Sequence, residues 1–289
     1  MFNLLLEELI SLNMKLRKNG ISIILGGGMG LFLRESFLVG ERSPRYPIRP
    51  GSRSTDDLDM LLTADLIANA EKMNALRDVL KAAEYKPTVN FFQFERQIKN
   101  QPFSGSAKVD LLAAPPKSVD DVKIKRPRIR PRGSEKIHGY LTDEAAGIGI
   151  EAISIDLSNH TTNTADEDAQ VCIPSSFNYL ILKLHAFYDR KDRSDPGSDE
   201  GRHHAFDIFR IITDMRPKDW ETAVRHIEQD GDAEYVQNAA KIQRNHFADD
   251  TSEGVIRLME NEGYQRHRDE FDGYISDFLD DLEALFTEV

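Results

Sequence analysis

The sequence predicts an α+β protein in which a mixed sheet is covered by helices and followed by a C-terminal helical domain. Two observations carry that prediction. Up to residue 174, short apolar and β-branched runs bounded by Gly and Pro alternate with stretches of helical periodicity, opening in the order α, β, α, β, α, β, β. Beyond Pro174 the apolar spacing is helical to the end of the chain. The expected division is therefore residues 1–174 and residues 175–289.

The first 20 residues, MFNLLLEELISLNMKLRKNG, read as an amphipathic helix closed by a cationic last turn and a stopping glycine. Glu7 and Glu8 interrupt its apolar stretch and its basic residues follow it, the reverse of a signal peptide. A short strand over 21–25 runs into the glycine turn Gly26-Gly27-Gly28-Met29-Gly30 and then a helix beginning Leu31-Phe32-Leu33-Arg34. Residues 38–54, with Pro44, Pro47, Pro50 and the arginines 42, 45, 49 and 53, read as an exposed connector. A strand is expected over 57–62. Thr63 would then cap a helix with apolar residues at 66, 67, 70, 73, 76, 80 and 83. Further strands are expected at 89–94, 107–113, 150–157 and 170–173, with the polar stretch SNHTTNTADEDA between the last two read as a loop. Helices are expected at 177–192, at 201–215 and from Pro217 onward, and the last of them places Phe271, Tyr274, Ile275, Phe278, Leu282, Leu285 and Phe286 on one core-facing stripe.

Composition narrows the function classes. With 40% hydrophobic and 30% charged residues, the chain is ordinary for a globular protein. Its single cysteine, Cys172, excludes an internal disulfide framework and a multi-cysteine metal cluster and fits a reducing, cytoplasmic setting. No uncharged apolar run reaches the ~18–20 residues needed to cross a bilayer, so no membrane partner is expected. The net charge of −12 argues against a surface that grips nucleic acid everywhere. Residues 217–289, however, hold 7 basic and 19 acidic residues and account for all of that surplus. The rest of the chain is balanced, and from Lys123 to Lys136 it carries seven basic residues against one acid, Glu135. That segment is open to two readings, a phosphate-binding strip or a solvated, proline-stiffened connector. The acidic tail is equally open, as a solvated helical cap or a surface for a basic partner.

Chemistry concentrates on three aspartates. Residues i and i+2 of a strand point to one face, so Asp57 and Asp59 should stand side by side. Asp110, between Val109 and Leu111 on another expected strand, would join them if the two strands are neighbours. Adjacent carboxylates repel unless a cation lies between them, and a hard divalent ion such as Mg²⁺ suits a few carboxylates plus substrate phosphates. The bland alternative is a solvated turn, with Asp110 paired to Lys108 or an arginine. Lys183, between Leu182 and Leu184, could snorkel from a helix surface, and Asp207 could pair with Arg210 or Arg202. His203 and His204 are adjacent, so on a helix they face different directions and suit a polar helix start better than one metal ion. No nucleophile elbow, Walker loop or dinucleotide-binding glycine motif occurs in a fitting context.

Taken in order, the segments Leu25-Gly26-Gly27-Gly28-Met29-Gly30-Leu31, then Arg53, Thr55, Asp57, Leu58 and Asp59, then Lys108-Val109-Asp110-Leu111-Leu112 resemble the minimal-nucleotidyltransferase fold of the polymerase β superfamily. More narrowly they resemble the AbiEii-type nucleotidyltransferase toxins of bacterial abortive-infection and toxin–antitoxin systems. Lys183 in LILKLHAFYDRKDRSD and Asp207 in RHHAFDIFRII are similar to that family's helical Lys and Asp motifs, so the resemblance spans roughly residues 4–212. It implies metal-dependent transfer of a nucleoside monophosphate from an NTP to an acceptor hydroxyl. By the same resemblance Asp57 and Asp59 hold Mg²⁺ or Mn²⁺, and Asp110 binds a second metal or orients the acceptor. Gly27 and Gly28 cradle phosphate, while Arg53 and Thr55 are nucleotide-binding positions. Lys183 meets the triphosphate, and Asp207 orients that lysine or the base. The implied acceptor is RNA, such as a tRNA end, and the implied partner is a cognate antitoxin. Other acceptors of the same chemistry are a small-molecule (antibiotic) hydroxyl or a protein side chain, and a non-catalytic nucleotide-sensing module is the alternative of another class. Two positions depart from the family: Gly28 and Met29 stand where Ser or Thr is common, and Thr55 where Ser is common. Neither change removes a metal ligand.

Overall fold

A computed structural model describes residues 2–38, 40–51, 57–100, 103–160, 169–193, 195, 198–287 and 289. By internal contacts the chain divides into two units, Met1–Leu38 with Ser54–Pro174, and Val39–Arg53 with Ser175–Val289.

The first unit opens with α1 (Phe2–Lys18), whose last turn carries Lys15, Arg17 and Lys18 and ends before Gly20 at φ +66. Strand β1 is only Ile24–Leu25; Ile21 and Ile23 are buried but lie outside the ladder. Helix α2 (Gly27–Phe37) starts inside the glycine turn, four residues earlier than the sequence suggests. Strand β2 (Asp57–Leu62) has the expected bounds. The helix expected after Thr63 is two helices, α3 (Ala64–Ala68) and α4 (Ala70–Ala82). Thr63 caps the first, accepting from the Leu66 N–H. Asn69 breaks the pair: its backbone is extended and its side chain accepts from the Lys72 N–H, restarting the helix.

The expected strand at 89–94 is a correction. Asn90 and Phe91 have positive φ, and a turn there joins β3 (Lys86–Val89) to β4 (Gln93–Asn100). Apolar content alone cannot separate a tight aromatic turn from a strand. The long β5 (Phe103–Ala113) follows, then the hairpin β6 (Val122–Lys125) and β7 (Arg128–Pro131), and then β8 (Gly139–Leu141), β9 (Ile153–Asp156) and β10 (Gln170–Ile173). The basic segment is thus sheet rather than connector. Strand order is β6-β7-β8-β5-β2-β1-β10-β9, with β4 also on β5 and β3 on β4. The sheet is mixed: β2–β5, β5–β8 and β1–β10 are parallel and the other pairs antiparallel. Leu58, Met60, Val109, Leu111 and Ala113 are fully buried on one face of β2 and β5, each such large side chain contributing about 1.5–3 kcal/mol by leaving water.

The second unit is helical, with α5 (Ser176–Arg190), α6 (Arg202–Thr213), α7 (Pro217–Asp230), α8 (Glu234–His246), α9 (Glu253–Met259), α10 (Glu262–Gln265), α11 (Arg268–Phe271) and α12 (Ile275–Ala284). Ser175 caps α5, and Pro217 stands at the first position of α7, where its missing N–H costs nothing. Phe209 of α6 meets Tyr264, Phe271 and Phe278 at ring-centre distances of 5.7, 5.4 and 5.3 Å. The expected apolar stripe of the tail is buried, except that Tyr274 is half-buried. Of the connector expected over 38–54, the described residues 40–51 are not free. Tyr46 is fully buried, its hydroxyl 2.7 Å from Asp281, Arg45 pairs with Asp281 and Asp277, and Arg42 lies 3.3 Å from Asp214. Among the described residues no helix is long and apolar enough to cross a membrane.

Candidate functional site

Strands β2 and β5 run parallel with Asp59 paired to Asp110 and Asp57 to Lys108. Residues two apart on a strand, and residues paired across neighbouring strands, share a face. Asp57, Asp59 and Asp110 therefore rise from one face, opposite the buried Leu58, Met60, Val109 and Leu111. One carboxylate oxygen from each of the three half-buried aspartates lies within 4.8 Å of the others. Like charges this close destabilise one another unless a cation or a proton relieves them. Burial pushes the Asp110 carboxyl above the usual carboxylate range and the neighbouring Asp57 adds to the rise, while a hydrogen bond from Gln93 and the charge of Lys108 oppose it. The Asp110 Oδ1 atom is buried without a hydrogen-bond partner. An orphaned carboxylate oxygen facing two further carboxylates is a donor set that fits a hard divalent cation.

The glycine turn abuts this cluster. The Gly26 N–H donates to the Asp59 carbonyl at 2.7 Å. Gly27 has φ +58, and a Cβ there would lie 1.8 Å from Asp59 Oδ2, so both backbone and space demand glycine. Gly27 and Gly28 form the first turn of α2, whose opening N–H groups have no partner within the helix. Arg53 and Thr55 lie outside the described residues.

Lys183 and Asp207 belong to the second unit and meet each other there. Lys183 Nζ is 2.7 Å from Asp207 Oδ2, and Arg210 Nη1 is 2.9 Å from Asp207 Oδ1. Lys183 is buried, so it does not snorkel to solvent, and Asp207 does pair with Arg210. Removing one member of such a buried set leaves an uncompensated charge, a loss of about 3–5 kcal/mol. His204 stands one turn before Asp207, with its Nδ1 buried and without a hydrogen-bond partner. Burial pushes it down to about 3, helped by the positive charges of Lys183 and Arg190 and opposed by Asp207 and Asp199. His203 lies 3.2 Å from Asn261.

The basic segment that the sequence offers as a phosphate-binding strip lies on the sheet beside the aspartates, a placement that sequence reasoning did not supply, as it did not supply Tyr140. Pairing runs from Leu112, two residues past Asp110, to Tyr140, Arg128 and Lys125, and from Arg130 to Lys123. By register these side chains share the face of the three carboxylates. Lys123, Lys125 and Tyr140 are exposed, and Tyr140 meets Phe92 edge-on at 5.4 Å. Arg126, at the hairpin tip, instead pairs with Asp143 at 2.8 Å. The signal was present as the spacing of two in Lys123-Ile124-Lys125 and Arg128-Ile129-Arg130. Compared with known proteins, the chain matches no family model and no curated protein.

Proposed function

We propose that this protein is a metal-dependent nucleotidyltransferase that moves NMP from an NTP to an acceptor hydroxyl, with RNA as the acceptor. The observation that carries the proposal is the cluster of Asp57, Asp59 and Asp110, with its orphaned oxygen, against a glycine-only helix start. The three aspartates would hold Mg²⁺ or Mn²⁺. When bound, the cation supplies charge neutralisation at the triphosphate and at the departing pyrophosphate. The N–H groups of Gly27 and Gly28 would bind phosphate at the positive end of α2. Asp110, through the carboxylate oxygen that does not hold the cation, would orient the acceptor hydroxyl and take its proton as that oxygen bonds to the α-phosphorus and the bond to the β-phosphate oxygen breaks. The family resemblance adds Lys183 as a cation for the triphosphate, with Asp207 as the residue that fixes it.

The basic row favours RNA over a small-molecule or protein acceptor. Four cations and an exposed tyrosine on the carboxylate face suit a phosphate backbone and a stacked base. The resemblance further makes the protein a toxin neutralised by a cognate antitoxin. The test is incubation of the full chain with each α-labelled NTP, Mg²⁺ or Mn²⁺, and separate pools of RNA, protein and aminoglycosides. Label should enter RNA, disappear in Asp57→Ala and Asp59→Ala, and fall about tenfold in Lys123→Glu/Lys125→Glu at low salt, with a shallower salt dependence than the wild type shows. NTP binding without any transfer would instead make the protein a nucleotide sensor.

A further inference from the structure

The helical unit carries an open groove of about 1010 Å³, lined by α7, the turn at 230–233, the start of α8 and the end of α12. Helix α7 explains its character. One side of α7 is buried and largely polar, carrying Asp219, Thr222 and His226. A second stripe, Trp220, Ala223, Val224 and Ile227, follows the i, i+3, i+4, i+7 spacing of an apolar helix face and lines the groove, with Ala223 buried at its base, Trp220 and Ile227 half-buried and Val224 exposed. Val224 is 52% exposed there, among the most exposed large apolar side chains described. Leu285 adds to the apolar floor. Among the described residues, the charged side chains of the lining are Glu228, Asp230 and Asp232, with no lysine or arginine. Asp230 accepts from the Tyr235 hydroxyl, leaving Glu228 and Asp232 as the exposed acids of the rim. The surrounding segment from 217 onward carries 19 acidic against 7 basic residues.

We propose that this groove docks a basic amphipathic helix of a partner protein, with apolar side chains against the Trp220–Val224–Ile227 stripe and lysines or arginines over Glu228 and Asp232. An apolar stripe at helical spacing is what a helix-in-groove interface reads, and the one-signed rim selects its charge. A second copy of this chain is disfavoured as the occupant, because the corresponding surface of that copy would bring the same negative charge. The inference is independent of the nucleotidyltransferase reading.

Trp220 is the chain's single tryptophan, so its fluorescence reports on the groove. The full chain is titrated with a synthetic amphipathic peptide of about sixteen residues, some four helical turns, with Leu at i, i+3, i+4 and i+7 and Lys on the other face. Two controls accompany it, the same peptide with Glu for Lys and a scrambled basic peptide. The expected result is a saturable blue shift with the basic amphipathic peptide alone. Affinity should be weakened about tenfold or more in Val224→Asp and in Glu228→Lys/Asp232→Lys, and further by salt. Both changes fall on exposed positions, and far-UV circular dichroism verifies the fold. Equal binding of the acidic or scrambled peptide, or variants that bind as the wild type does, would overturn the proposal. So would a shift that appears on concentrating the protein alone together with dimer in sedimentation, which would make a second copy the occupant.

Discussion

Asp110 is held where its carboxylate is a cost to the fold. Its neighbours Val109 and Leu111 bury the other face of β5, and that burial leaves the carboxylate beside Asp57 and Asp59 with an oxygen unpartnered. Without a cation the charge is a liability. Asp110→Asn should therefore raise the melting temperature in chelator at neutral pH by about 2–4 °C, on the order of 1 kcal/mol, and should abolish the stabilisation that Mn²⁺ confers on the wild type. Differential scanning fluorimetry with and without Mn²⁺ reads both effects. At Gly27 the strain runs the other way. Alanine there would meet Asp59 Oδ2 and require a left-handed backbone, so Gly27→Ala should weaken Mn²⁺ binding about tenfold or more with helix content intact. The pairing of Asp57 with Asp59 was legible from their spacing of two. The closeness of Gly27 to Asp59 was not, because it depends on β1 lying antiparallel beside β2.

At the scale of elements, the strands read best from sequence are those with one polar and one apolar face. β2 begins and ends at Asp57 and Leu62 because alternation marks it, and the aspartates follow from that alternation. The turn at Asn90 and Phe91 was read as strand, since aromatic residues on a turn look apolar in a window. The helix after Thr63 was read as continuous, because Asn69 acts through a side-chain bond to Lys72 that periodicity does not register. On α6, His203 and His204 form the polar helix start that the sequence suggests, with the His203 N–H donating to Asp199 at 2.8 Å, and His204 is in addition buried at its Nδ1 atom. Its folded pKa near 3 lies below the ordinary 6.5, so the unfolded chain binds the proton first as pH falls and stability is lost from about pH 6.5 downward. The groups facing it are Lys183, Arg190, Asp207 and Asp199. His204→Gln should flatten that dependence, the wild type losing on the order of 1–3 kcal/mol more stability than the variant between pH 6.5 and 4.5, as measured by urea unfolding across pH.

Over the whole molecule, the mixed sheet and the helical C-terminal part were visible from the switch in periodicity at Pro174. The packing of the segment around Tyr46 was not, because the burial of Tyr46 and its bond to Asp281 join positions far apart in sequence. Charge is divided in the same way. The acidic surplus lies in the segment with the apolar groove, while a hairpin of alternating cations extends the carboxylate face of the sheet. The central claim, that Asp57, Asp59 and Asp110 together hold one divalent cation, is tested most directly by electron paramagnetic resonance of Mn²⁺ titrated into the full-length protein. The wild type should bind one Mn²⁺ that Mg²⁺ displaces, and Asp59→Asn should lose it. A Mn²⁺ signal that remains free in the wild type, or that is bound equally by Asp59→Asn, would contradict the account.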